Sequence, residues 1–404
     1  MKFLKWRQNH LILLVLLVGF GISGCSTQPK MGVGVMDNAW QQYTQGMMIL
    51  EDGKPDDAMR KFERALGLID DFSPALAGKS LVIALRASEQ DDEDHRQVDA
   101  DKALELLDKA EDSAESPQER FIYHVAAIRL HLVLQGKRWL KKASNNHKDA
   151  LDIDDLDTST LPYYQNRFAA DYFMAVAQYR YDFRQAEPLL KKVVGSRDAG
   201  KWTKKANKMY EKVHKITRAA SYHTLSGVAL KVAILDEVSR GDVAALMVSE
   251  LKLDSLFAGR IRVRSQEKEA EFTPADMLDH PFKDEVATIM KWNVRGLSPI
   301  YDSTTRAYLF KPQIIVNRKD LALMLEDVLI QITGQEKIAS QSIGQNSPFP
   351  DVTSTVGWFN AVMTVTTRGL MKPKLSGEFQ PDDPVTGADL LLAIVTLRDV
   401  LNVN

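Results

Sequence analysis

Cysteine is almost missing from this chain, with one residue in 404. A single thiol excludes an intramolecular disulfide framework, an iron–sulfur cluster and a cysteine-built zinc site together. The eight histidines are scattered and include no HExxH pair, so a zincin-type centre is absent too. Excess charge of one sign is equally scarce. Against 54 Asp and Glu stand 52 Lys and Arg, a formal net charge of −2, whereas a protein that neutralises nucleic-acid phosphates carries a clear basic excess. The apolar stretch Leu11 to Phe20 falls well short of the roughly 20 residues a spanning helix needs. What is present is globular material, 45% hydrophobic and 26% charged. At about 150 residues per domain the length suggests two or three domains.

Lys2, Lys5 and Arg7 precede the Leu11–Phe20 stretch, and Ile22-Ser23-Gly24-Cys25 follows it. Basic flank, short apolar core and small residues read as a secretory leader. The last four residues resemble the bacterial lipobox, whose cysteine is acylated and becomes the first residue of the mature chain. The lone cysteine stands where that chemistry requires it. The resemblance implies a signal peptide over 1–24, lipid attachment at Cys25 with fatty-acyl (palmitate) chains, and a tether over 25–36. Each buried methylene adds about 0.8 kcal/mol of membrane affinity. Ser26, rather than aspartate, follows the cysteine, which by resemblance to diderm lipoproteins implies the outer membrane.

From Asn38 the pattern turns helical. Trp40, Tyr43, Gly46 and Ile49/Leu50 share one face, Gly53-Lys54-Pro55-Asp56 marks a turn and a helix start, and Ala58, Phe62, Ala65 and Leu66 form a second stripe. This segment resembles a tetratricopeptide repeat, in which small residues let two antiparallel helices approach and large ones fill the groove between them. Further helices are expected at Pro74–Leu85, Ala103–Ala110, Phe121–Leu134, Tyr163–Tyr181, Ala186–Val194 and Lys204–Arg218, enough for four or five stacked units. The acidic stretches 90–101 and 151–157 read as loops between helices. Gly78-Lys79-Ser80 lacks the upstream glycine and preceding strand of a phosphate-binding loop, and packing explains it better. The acidic 151–157 stretch lacks the glycine and terminal glutamate of a calcium hand. Lys204, Lys208, Lys212 and Lys215 recur on one helical face; a solvated face is the plain reading, and an anionic partner is the sharper one.

After about residue 236 the sequence repeats on a longer period. Asp276 corresponds to Asp351, Arg295-Gly296-Leu297 to Arg368-Gly369-Leu370, Phe310-Lys311-Pro312 to Phe379-Gln380-Pro381, and Asp320-Leu321 to Asp389-Leu390. Ser239-Arg240-Gly241-Asp242 opens a partial third copy whose preceding half is not recognisable. These units resemble S-layer homology (SLH) repeats, in which F-x-D-V, an aromatic residue, glycine, F-x-P and T-R-A-E follow in order. The resemblance implies a compact helical pseudo-trimer that grips cell-wall carbohydrate. Glycan-binding candidates are then Arg240 and Arg318 at helix starts, where guanidinium and free backbone N–H groups suit an anion, with Asp276, Asp351 and Trp358 shaping the grooves. A plainer role is that the arginines cap or bridge repeats. Gly387 occupies the third arginine's place, and the loop 298–309 is four residues longer than its counterpart.

The expected fold is mainly α: a TPR-like solenoid over 37–235, then an SLH-like module over 236–404 with copies at 236–262, 272–332 and 347–402. The expected function is a lipid-anchored outer-membrane protein that binds peptidoglycan or an attached glycan and scaffolds envelope proteins. No enzyme activity, catalytic residue, metal, cofactor or nucleic-acid partner is expected. Two alternatives stand beside it: an assembly or secretion-accessory lipoprotein with structural C-terminal repeats, and an envelope glycan hydrolase, which needs two converging carboxylates.

Overall fold

The structure is a computed structural model that describes residues 38–260 and 273–401. The leader, Cys25 and the whole tether lie outside the described residues, as do residues 261–272 and 402–404. The described chain is mainly α, with sixteen α-helices and one two-stranded hairpin. It divides into two compact units, Met1–His214 and Lys215–Asn404.

In the first unit helices follow in hairpin pairs: α1 (Ala39–Glu51) with α2 (Pro55–Leu66), α3 (Ser73–Glu89) with α4 (Glu93–Asp112), α5 (Pro117–Leu134) with α6 (Trp139–Leu151), and α7 (Phe168–Tyr181) with α8 (Phe183–Gly195). The odd-numbered helices α1, α3, α5 and α7 also pack on one another in sequence. That two-layer stacking is the arrangement of a helical-repeat solenoid. Short turns enforce it. Gly53 takes φ +74° between α1 and α2, and Pro55 starts α2 at a position that needs no N–H donor. Phe62 is the wedge: a Cβ on Gly46 would lie 2.6 Å from its ring, and one on Gly78 2.4 Å. Gly78 is therefore a packing residue inside α3, with no phosphate-loop geometry.

Two expectations about elements are corrected, and one helix falls outside them. Most of the acidic stretch 90–101 is helix, because Asp92 accepts a hydrogen bond from His95 N and Glu93 and Asp94 sit in the first turn, where carboxylates suit the helix dipole. Helix α7 starts at Phe168, not at Tyr163; Gln165 adopts φ +65° and turns the chain first. Helix α6, whose apolar stripe is thin, was not anticipated.

Helix α9 (Lys201–Tyr222) is followed by α10 (Gly227–Ala233), α11 (Arg240–Leu251) and α12 (Leu253–Arg260). After residue 273 come α13 (Lys283–Lys291), the antiparallel hairpin β1 (Ile300–Asp302) and β2 (Ala307–Leu309), α14 (Arg318–Thr333), α15 (Phe359–Thr367) and α16 (Gly387–Leu401). Three long helices each receive the short helix of the next copy: α13 packs on α11, α15 on α14, and α10 on α16. The last contact closes the ring. Thus α10 supplies the first copy's missing half, which its sequence does not announce.

Candidate functional site

The centre of the second unit is a ring of three buried valines, each just before the start of a long helix. Val238 N donates to Val385 O, Val385 N to Val316 O, and Val316 N to Val238 O, all at 2.9 Å. Three equal bonds in a closed cycle define a pseudo-threefold axis. They also satisfy backbone groups that burial would otherwise leave unpaired, at a cost of about 1–3 kcal/mol each. One residue further on, Ser239, Asn317 and Thr386 cap the helices by accepting from Asp242 N, Asp320 N and Asp389 N. The slot that resembles T-R-A-E is thus an N-cap followed three residues later by the dipole-facing acid at N3.

The next residue in each copy is Arg240, Arg318 or Gly387, and the two arginines are nearly superimposable in role. Arg240 Nε donates to Phe310 O at 2.9 Å and Nη2 to Ser298 O at 2.9 Å, while Nη1 donates to Gly296 O. Its guanidinium lies 4.8 Å from the Phe310 ring centroid. Arg318 Nε donates to Phe379 O at 2.7 Å and Nη2 to Lys372 O at 2.8 Å, 4.7 Å from the Phe379 ring. Asp276 and Asp351 hold the same two loops from the other side. Asp276 accepts from Phe310 N and Lys311 N, and Asp351 from Phe379 N and Gln380 N. Lys311 and Gln380 sit at φ +54° and +56°, a left-handed conformation that costs an ordinary residue about 1 kcal/mol or more. The aspartate's two bonds offset that strain.

Arginine and aspartate together therefore clasp the F-x-P turn of each following copy. Both arginines are buried, Arg240 at 6% exposure and Arg318 at 5%. Burial pushes both below the usual arginine range, and carboxylates oppose it: Asp320 and Asp276 for Arg240, Asp389, Asp383 and Asp351 for Arg318.

The third position departs for a steric reason. A Cβ on Gly387 would lie 1.8 Å from Val232 O, and Gly387 N donates to Leu235 O at 2.9 Å. The end of α10 and the turn after it occupy the space where a third arginine side chain would extend.

Trp358 stands half-buried at the N-cap of α15. The longer loop is the β1–β2 hairpin, with Tyr301 and Tyr308 as cross-strand partners at 54% and 57% exposure, ring centroids 5.3 Å apart. In the sequence Arg295 and Arg368 serve only to mark the repeat. Arg295 is the exposed cation beside Gly296, the carbonyl that Arg240 grips, and it pairs at 3.5 Å with Glu326. Arg368 donates from Nη2 to Gln341 Oε1 at 3.3 Å. Their recurrence in both copies was the signal for them.

The lysine stripe is split. Lys204 and Lys208 are exposed, Lys212 Nζ lies 5.6 Å from the Tyr179 ring, and Lys215 pairs with Asp389 at 2.7 Å. Among the described residues no cluster of three His, Cys, Asp or Glu could hold a metal ion, and no helix is long and apolar enough to cross a membrane.

Residues 348–391 match the S-layer homology domain family. That span runs from Pro348 through Asp351, Trp358 and the F-x-P turn into α16, and so covers the third copy. No curated protein and no solved structure gives a significant match to the chain.

Proposed function

We propose that this chain is an envelope-tethering lipoprotein, attached to the outer membrane through Cys25 and to peptidoglycan or a wall-linked glycan through its second unit. The helical repeats of the first unit recruit an envelope protein. The observation that carries the reading is the closed valine ring with its repeated arginine–aspartate clasps, set in a segment of which residues 348–391 match the S-layer homology domain. That match supports association with the cell envelope and a cell-wall polymer as ligand class. Two weak attachments at the ends of one chain gain from effective concentration, which suits a tether. The protein acts by binding, with no reaction step.

The clasps refine which side chains meet glycan. Arg240 and Arg318 spend their donors on backbone carbonyls and set the shape of the grooves. The exposed groups of the same module, Arg295, Tyr301 and Tyr308, and the half-buried Trp358 are the contact residues of this reading. Cations and aromatic faces suit an anionic sugar polymer.

Co-sedimentation with purified sacculi tests the proposal. The chain 26–404 is expected to pellet and a version ending at His214 to stay in solution; a full chain that stays in solution contradicts wall binding. For the anchor, Cys25→Ser is expected to move the protein from the membrane to the soluble fraction.

The inward-facing arginines also favour a second reading, an assembly-accessory lipoprotein whose C-terminal copies are purely structural. Affinity capture on the first unit that returns one dominant outer-membrane protein, with no wall pelleting, selects it.

A further inference from the structure

The first unit contains a cavity of about 80 Å³ that none of the preceding functions uses. Alternate helices build it: Glu51 at the end of α1, Leu81 and Leu85 on α3, Arg129 on α5, Phe173 and Val176 on α7, and Lys205 on α9. Its walls are apolar and aromatic, but its charge is one-sided. Arg129, Arg180 and Lys205 line it, and Lys201 Nζ sits 3.7 Å from the ring of Tyr163, another lining residue. Glu51 is the one carboxylate lining it among the described residues, and it is already engaged. It pairs with Lys205 and accepts from Tyr163 OH at 2.8 Å.

Arg129 is the telling group. It is 6% exposed, stacks 4.5 Å from the centroid of Phe173, and donates from Nη1 to Tyr164 OH at a long 3.4 Å. No carboxylate lies within ion-pair distance of it among the described residues. Its surroundings are tyrosines: Tyr43, Tyr163, Tyr164 and Tyr172 are the groups whose ionisation it influences. A buried charge without a counter-charge is costly, and an anionic partner offsets that cost. Lys201 adds like charge: burial and Arg129 together push it down to about 8.

We propose that this cavity binds a small organic carboxylate with an apolar body. The planar guanidinium of Arg129 takes the carboxylate through paired N–H donors. Arg180 and Lys201 add positive charge around it, and Leu81, Leu85 and Val176 receive the body. Glu51 shows the same chemistry inside the protein, a carboxylate held between a lysine and a tyrosine hydroxyl at the cavity wall. Occupancy would cross-link α1, α3, α5, α7 and α9, so the ligand stabilises the whole stack by mass action.

Calorimetric titration of the full chain in detergent, with phenylacetate, neutral phenylacetamide and inorganic phosphate as probes, tests this. Phenylacetate is expected to bind with a sub-millimolar Kd, with the amide and phosphate each about tenfold weaker or more, the scale of one charge-assisted hydrogen bond. Arg129→Met is expected to lose phenylacetate binding. Because that change alters a buried side chain, Val133→Trp serves as the second variant: it fills the half-buried rim of the cavity, keeps every charge, and is expected to abolish binding while the melting temperature holds. Absence of phenylacetate binding at about 10 mM, equal binding of the amide, phosphate binding as tightly, or undiminished binding by a folded Val133→Trp variant would each overturn the assignment.

Discussion

Single residues decide whether the C-terminal copies close into a ring. Gly387 has no room for even a methyl group, since its Cβ would fall 1.8 Å from Val232 O. Gly387→Ala is therefore expected to cost about 2–3 kcal/mol in denaturant unfolding, at the upper end for overpacking, and Gly387→Arg cannot restore a third clasp. Arg318 makes the opposite kind of contribution. Arg318→Met leaves Phe379 O and Lys372 O without their donor inside the protein, and a loss of about 2–4 kcal/mol is expected. Arg318→Lys recovers little of it, because a point charge cannot serve two separated carbonyls while stacking on the Phe379 ring. Equal stability of the Met and wild-type chains by urea titration would count against the clasp. The sequence marked these arginines by their repeat position, and their carbonyl partners lay beyond it. A helix-start arginine looks the same in sequence whether it faces a ligand or the next copy's backbone.

At the scale of elements, legibility followed side-chain periodicity. Stripes such as Ala58–Phe62–Ala65 announced their helices, and the copy spanning 350–401 announced two helices and a turn. The failures have physical causes. Helix α4 begins in a run of acids that looks like a loop, yet an Asp92 cap and two first-turn carboxylates favour a helix there. Helix α10 is seven residues with no motif, and its place is fixed by packing on α16. The four extra residues before Phe310 read as a loop and form a hairpin, whose strands are three residues each. Those strands carry two exposed tyrosines and little core, so replacing residues 299–308 with the shorter turn of the last copy is expected to change the melting temperature by no more than about 2 °C. Under the wall-binding reading the same deletion weakens sacculus binding, which separates a contact role from a folding role. The cavity of the first unit was not legible at all. Tyr163 and Tyr164 are about 99% buried, and Arg129 enters their aromatic cluster from α5, some 35 residues away in sequence, a spacing that no local pattern reveals.

For the molecule as a whole, the first unit carries a pH signature. Burial lowers Lys201 and Lys205 to about 8, while their unfolded values stay near 10.5. Between those values the unfolded chain binds more protons, so stability rises as pH goes from about 8 towards 10. Burial raises Tyr163 and Tyr172, the latter to about 12. Above about pH 10 the native state keeps protons that the unfolded chain loses, and stability falls again. A maximum near pH 9–10 in thermal melts of the first unit's transition is the expected outcome, and Lys201→Met is expected to flatten the rising limb, with a gain of about 1 kcal/mol at pH 7 after allowance for solvent screening. On the acid side, burial and Lys142 hold His131 down to about 4, so stability drops as pH falls from about 6.5 to 4. The central claim concerns the other unit, that its closed threefold frame is a glycan-binding module. Calorimetric titration of the chain 26–404 with muramidase-solubilised wall glycan tests it most directly. The account predicts saturable binding to a limited number of sites, weakened several-fold by Arg295→Gln with the melting temperature unchanged. Absence of heat at millimolar glycan from a chain that still melts cooperatively would contradict it.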